Sequence, residues 1–210
     1  MTVTPDHLLR AASLCRETLA PAADADWTVE AGDIGQTCRE TIDHVVSCQT
    51  FYASHLAARA RARLPPLRQH DPDAPLEHVL DLVPAGAAVL AAVARGSAPD
   101  ARAFHPAGMA DPEGFLAMGC DEIVVHAGDI ATGLGIPFAP PADLCADVAA
   151  RLFPWAPSDT DPWSTLLWAN GRAPLGDRAR LDPDWYWHCA PLAEWDGQVN
   201  RRIKPAAWSP

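Results

Sequence analysis

The sequence predicts an all-α fold, and three observations support this class. Apolar residues recur at three- and four-residue intervals through four long segments. Prolines and glycines end these segments, as they end helices. No run of β-branched residues alternates with polar residues in the way that half-buried strands require. Because the connections allow antiparallel neighbours, we expect a four-helix bundle with a short helical and irregular C-terminal extension.

The first half of the chain predicts two helices. The first covers about residues 5–19 and stops before Pro21. Its apolar residues lie at helical spacing, namely Leu8, Leu9, Ala12, Cys15 and Leu19. A loop over 24–35, anchored by Trp27, leads to a long second helix over about 36–64, which Pro65 and Pro66 end.

Two more long helices follow. The third covers about 75–95, after a linker rich in Pro and Asp, and the next predicted segment, 97–110, is a loop. The fourth begins at Asp111, which supplies an N-cap before a proline and an acidic first turn, and it runs to about Gly135. Glycines inside this helix lower its propensity, so we expect neighbouring groups to approach closely at Gly114, Gly119, Gly128 and Gly133.

The chain changes character after residue 140. Two short helices are predicted, over about 141–152 and 161–170, and the tail from Leu181 is irregular and aromatic. We therefore divide the chain into a helical bundle, 1–155, and an extension, 156–210, that packs on it. Burial of four tail tryptophans would stabilise this packing: Trp185, Trp187, Trp195 and Trp208.

Composition argues against several classes of function. The net charge of −11, with no stripe of Lys or Arg, argues against binding to nucleic acid. No apolar run approaches the length of a bilayer-spanning helix, and the first residues lack the pattern of a secretion signal, so we expect no membrane partner. The six cysteines are scattered singly, which is typical of reduced thiols in a cytoplasmic protein. A monomer and a homodimer both remain open.

The fourth helix carries a stripe of potential metal ligands. Glu122, His126 and Asp129 fall within about 60° of one another on a helical wheel, and apolar residues border them. Burial of a carboxylate and an imidazole is costly unless they have a partner, and a divalent cation would satisfy both. Pairs with this spacing also occur as ordinary contacts on helix surfaces.

The second helix offers a third ligand. His44 lies on an inward stripe with Cys48, one turn further along, which could also reach a metal. His55 lies three turns away, about 16 Å along the axis, and cannot share the same ion. The alternative is that His44 is a core histidine bonded to Glu122 or Asp129.

These segments resemble the DinB-like family. The resemblance rests on Trp27-Thr-Val, on the segment from Cys38 to Val46 around His44, and on the segment Glu122–Gly135. The resemblance covers about residues 5–155. Because the middle ligand position holds a glutamate, Glu122, the chain is most similar to the mycothiol-dependent maleylpyruvate isomerase N-terminal domain branch of the family. The family implies a four-helix bundle that binds a divalent metal, often zinc. By position, the implied metal ligands are His44, Glu122 and His126.

The resemblance also implies an activity. The metal would hold a low-molecular-weight thiol, mycothiol in this branch, as a thiolate that attacks a small electrophile in S-transfer or isomerisation. Asp129 would fix the ring of His126 or His44, or would make only a contact between helices. Two other classes stay open: a non-catalytic protein that binds a metal or small molecule, and a metal-dependent hydrolase that uses bound water.

The last part of the chain holds further candidates. Arg172 lies in a turn, Asn170-Gly171-Arg172-Ala-Pro174, that is similar to a GR-x-P turn found after the bundle in many relatives. The tail residues Trp185, Trp187 and His188 are either a latch onto the bundle or a wall of the substrate and cofactor pocket. In the second case an arginine would pair with an acidic substrate or with carboxylates of the thiol, and the candidates are Arg172, Arg201 and Arg202.

Overall fold

The computed structural model describes residues 2–68 and 70–201, and these residues are mostly helical. The long helices are α1 (Pro5–Leu19), α2 (Cys38–Ala58), α3 (Leu76–Gly96) and α4 (Pro112–Leu134). Two short helices follow, α5 (Ala142–Leu152) and α6 (Pro162–Ala169), with 3-10 turns at Ala20–Ala22 and Leu192–Glu194. The prediction of a mainly helical chain is confirmed.

Local sequence signals explain most helix ends. Thr37 and Glu40 form a capping box at the start of α2, in which each side chain accepts from the other residue's backbone N–H. Asp111 accepts from the backbone N–H of Gly114 at the start of α4. Gly135 ends α4 in the left-handed conformation, which glycine adopts without a steric penalty. These ends agree with the predicted ones to within a residue or two.

Helix α2 is shorter than predicted. It ends at Ala58 because Arg59 turns into the left-handed region, at φ 47°, well before the prolines at 65 and 66. The chain leaves the helix here to make a tertiary contact, in which the carbonyl of Ala60 accepts from the N–H of Phe104 at 2.7 Å. Proline therefore marks where a helix cannot continue, and a contact distant in sequence decides where this one stops.

The predicted loop over 97–110 contains a small hairpin. Strand β1 (Ala103–His105) pairs antiparallel with β2 (Gly108–Ala110), in the register Ala103 to Ala110. No sequence pattern predicted this hairpin, because three-residue strands without β-branched residues leave no alternation to detect. The hairpin packs against α2, and this contact places His105 near the bundle interior.

The four long helices share one hydrophobic core. Helices α1 and α2 each pack against both α3 and α4, and nearly all of α4 is buried. A Cβ added at Gly114 or Gly133 would collide with a backbone carbonyl, that of Cys189 or of Glu30 respectively. The prediction that glycines in α4 permit close approach is confirmed at these positions.

Helix α3 is more apolar over its length than the sequence analysis led us to expect of any segment. By length and composition it is apolar enough to span a bilayer, with a mean hydropathy of 1.6 over an 18-residue window. The expectation that no apolar run reaches this length is therefore wrong. In the structure α3 packs against α1 and α2, and core helices of other proteins meet the same criterion. The absence of a membrane partner stays a prediction.

The C-terminal segment contacts α4 and the end of α5. The buried Arg151 side chain donates to the carbonyl of His188 at 3.0 Å, and the N–H of His188 donates to the carbonyl of Leu152. The indole N–H of Trp187 donates to Asp121 on α4 at 3.0 Å. The division at residue 155 stays a prediction, and Arg202 and Trp208 lie outside the described residues.

Candidate metal centre

Helices α2 and α4 bring three potential metal ligands together. Glu122 Oε2 lies 3.2 Å from His44 Nε2 and 3.2 Å from His126 Nε2. One donor atom from each of the three residues lies within 4.8 Å of the other two. Two imidazoles and one carboxylate are a donor set that zinc binds, so these residues fit the metal that the resemblance implies.

Helical geometry places the donors on facing surfaces. Glu122 and His126 are one turn apart on α4, so both side chains point to the same side, where α2 presents His44. The second oxygen of Glu122 accepts from the hydroxyl of Tyr52, another residue of α2, at 3.0 Å. This bond holds Oε1 toward Tyr52 and leaves Oε2 toward the two imidazoles.

The site is buried on one side and open on the other. The side chains of Glu122 and His126 are 7% and 13% exposed, whereas that of His44 is 44% exposed. Burial raises the pKa of Glu122, but hydrogen bonds with His126 and His44 outweigh it and hold that pKa well below its ordinary range. Burial likewise lowers the pKa of His126, and bonds to Asp129 and Glu122 overcome this and raise it to about 9.

Asp129 orients His126 and is itself held by Arg172. Its Oδ2 atom lies 3.0 Å from His126 Nδ1, and the Arg172 guanidinium donates to both of its oxygens at 3.0 to 3.1 Å. A carboxylate on Nδ1 directs Nε2 toward Glu122, which is the arrangement common around metal-bound histidines. Arg172 also donates to the carbonyl of Asn170. Each of its three nitrogens thus donates a hydrogen bond within the protein.

A cavity of about 840 Å³ opens beside the three donors. Its wall includes His44, Glu122 and His126, and the C-terminal segment contributes Trp185, Tyr186 and Trp187. His188, predicted to share this wall, lies outside it, because its ring Nε2 bonds to the carbonyl of Pro191. Arg201 pairs with Asp184 at the surface and is also absent from the described cavity wall.

Trp187 is fixed by a buried acid. Asp121 accepts from the Trp187 indole through Oδ2 and from the Asn170 amide through Oδ1, at 3.0 and 2.9 Å. Burial raises the pKa of Asp121 to about 7, although both hydrogen bonds oppose the rise. Because Trp187 and Asn170 also line the cavity, Asp121 couples α4 to the cavity wall.

His105 is a cavity residue that the sequence did not indicate. It is 6% exposed, and its Nδ1 accepts from the backbone N–H of Ala107 at 3.0 Å, so a neutral ring carries its proton on Nε2. No residue in 2–68 or 70–201 bonds to that Nε2, and the ring lines the cavity. The Nε2–H group is therefore a hydrogen-bond donor for a molecule in the cavity. A single His in a predicted loop gave no signal of this.

We expect His105 to stay neutral at physiological pH. Burial lowers its pKa to about 4, although the charge of Glu122 opposes the shift. Nitrogen-15 NMR of the imidazoles should show the Nε2–H tautomer from pH 8 down to about pH 5. A titration midpoint near 6.5 would contradict the assigned environment.

We expect metal affinity to rise with pH. In the metal-free protein His126, with a pKa of about 9, carries a proton on Nε2 at pH 7, and an ion must displace it. The apparent affinity should increase by at least about tenfold per pH unit between pH 6 and 8. Competition with a chromogenic chelator at several pH values measures this slope. A metal affinity that does not change with pH would show that no proton on His126 competes with the metal.

No family model, curated protein or solved structure matches this chain.

Proposed function

We propose that this protein is a metal-dependent thiol transferase or isomerase of the DinB-like family, with mycothiol as the cosubstrate. His44, Glu122 and His126 would hold zinc or another divalent metal. The observation that carries the proposal is the position of these donors on the wall of a large cavity, with the exposed edge of His44 toward it.

The donor set suits thiol activation. Two neutral imidazoles and one carboxylate leave a bound divalent ion with a net charge of about +1, which lowers the pKa of a coordinated thiol. Asp129 holds His126 in the orientation that directs Nε2 to the site, and Arg172 holds Asp129. The hydroxyl of Tyr52 fixes the Glu122 carboxylate from the other side.

The charges of the cavity favour a neutral thiol. Arg172 and Arg180 line it, and each is paired with an aspartate, Asp129 and Asp33 respectively. No lysine lines the described cavity. Glutathione and bacillithiol carry carboxylates that would need a free cation, whereas mycothiol is a sugar and inositol derivative without a carboxylate. Indole and phenol rings at 185–187 provide flat surfaces against which sugar rings pack.

The electrophile would bind within reach of His105. A neutral Nε2–H donor suits a carbonyl oxygen, on which negative charge develops when a thiolate adds to an unsaturated carbonyl compound. The cavity volume of about 840 Å³ is in the range of cofactor and substrate pockets. The chemical class supported best is therefore a small, uncharged electrophile that contains a carbonyl group.

Metal analysis and calorimetry test this proposal. The purified protein should contain about one divalent metal per chain, and the metal-loaded protein should bind mycothiol more tightly than glutathione or bacillithiol. Trp187→Leu should weaken mycothiol binding, and Trp195→Leu, outside this cavity, should leave it unchanged. Equal binding of all three thiols would contradict the argument from cavity charge.

Turnover assays separate the alternatives. A panel of small electrophiles should be consumed only when both metal and mycothiol are present, and a chelator should stop the reaction. Turnover that needs metal but no thiol would instead indicate a hydrolase. Binding of metal and thiol without turnover across the panel would favour a non-catalytic binding protein.

A further inference from the structure

A cysteine lies beside the three donors. Cys48 follows His44 by one turn on α2, and its Sγ atom is 3.4 Å from His44 Nε2 and 3.4 Å from Glu122 Oε1. The thiol is only partly exposed and faces the same buried carboxylate as both imidazoles. The sulfur lies beside the three donors, and the three-residue ligand set leaves it without a role.

Three distances in this group match those between ligands of a common ion. Zinc bonds of about 2.0–2.1 Å to nitrogen and about 2.3 Å to sulfur, at tetrahedral angles, place N and S about 3.5 Å apart. Two imidazoles at 3.2 Å from Glu122 Oε2, and a sulfur at 3.4 Å from one imidazole, have this spacing. The sulfur approaches Glu122 through the other oxygen, Oε1, and it lies outside the three-donor cluster, so a shift of the Cys48 side chain toward Oε2 would accompany ligation.

Cys38 shows the contrasting case on the same helix. It is also a free cysteine of α2, but its thiol points to the carbonyl of Ile130 at 3.7 Å, away from the histidines. Position on α2 alone therefore does not bring a thiol to the site. Cys38 provides a matched control for Cys48.

We propose that Cys48 is a fourth protein ligand, which completes a two-histidine, one-cysteine, one-glutamate metal centre in the resting protein. This proposal rests on the metal site of the proposed function and deepens it. An external thiol would then enter by exchange. Cys48 would give up its bond to the metal as the incoming sulfur forms one, and the proton of the incoming thiol would pass to the Cys48 sulfur.

Exchange of this kind explains how a thiol can be activated without a separate base. One thiolate replaces another, so the net charge of the centre is unchanged and no proton is released to solvent. Cys48 would also keep water from the ion when no cosubstrate is bound, which disfavours hydrolysis.

Cobalt spectroscopy on the full chain tests the ligation directly. The protein loaded with Co²⁺, without added thiol, should show a thiolate-to-cobalt charge-transfer band in the near ultraviolet. Cys38→Ser should keep this band at full intensity. Cys48→Ser should lose it while still binding Co²⁺ through the remaining three ligands. Adding N-acetylcysteine amide, a thiol without a carboxylate, to Cys48→Ser should restore a thiolate band, because the vacated position accepts an external sulfur.

Each other outcome overturns a defined part of the argument. Wild-type protein that binds Co²⁺ without the band, or a band that survives in Cys48→Ser, would overturn ligation by Cys48 and leave the three-ligand site standing. Failure of folded wild-type protein to bind Co²⁺ would overturn the metal site, and with it both proposals. Circular dichroism of each variant confirms that the helices are intact.

Discussion

Replacing His126 with alanine is expected to weaken metal binding by more than about 100-fold. His126 contributes one of the three converging donors, and its ring is held by Asp129 on a nearly buried face of α4. Loss of residues that merely orient a ligand costs about 10- to 100-fold in affinity, so loss of the ligand itself should exceed about 100-fold. Elemental analysis after gel filtration, and titration with zinc, measure the change.

His78→Ala is the control for this experiment. His78 is an exposed histidine on α3, and it contributes no donor to the described cluster, so its removal should leave one metal per chain. The double variant His44→Ala, His126→Ala gives the strictest test. Stoichiometric metal in that protein would show that the ion binds elsewhere.

Replacing Arg151 with methionine is expected to destabilise the fold strongly. The guanidinium is 1% exposed and donates to Asp111 Oδ1 at 2.5 Å and to the carbonyls of His188 and Cys189. Methionine would leave a largely buried carboxylate without its cation and two carbonyls without their donor. Breaking a buried pair in this way costs about 3–5 kcal/mol, to be measured as the free energy of unfolding in urea.

Arg16→Met is the matched surface control. Its pair with Asp81 has a similar distance, 2.7 Å, but the two side chains are 46% and 58% exposed. Water and salt screen such pairs, so the free energy of unfolding should hardly change. Equal stability losses in the two variants would indicate that Arg151 does not hold the C-terminal segment on α4 and α5.

The helices could be predicted wherever the decisive signal was local. Thr37 with Glu40, Asp111 with Pro112, and Gly135 each act within one turn of chain, so their effects can be read from a few neighbouring residues. The end of α2 could not be predicted in this way. Arg59 adopts the left-handed conformation where the chain turns to meet the hairpin, and that partner lies more than 40 residues away.

The sequence by itself determined which donors share a helix face. Glu122 and His126 align because of the helical repeat, and the same repeat places His44 and Cys48 on one stripe of α2, whatever the rest of the chain does. Only the tertiary structure decided which groups surround them. Arg172 pairs with Asp129, His105 enters the cavity wall, and His188 leaves it, because loops and the C-terminal segment pack against helices distant in sequence. Such contacts depend on shape and hydrogen bonding between segments, which no periodic pattern within one segment encodes.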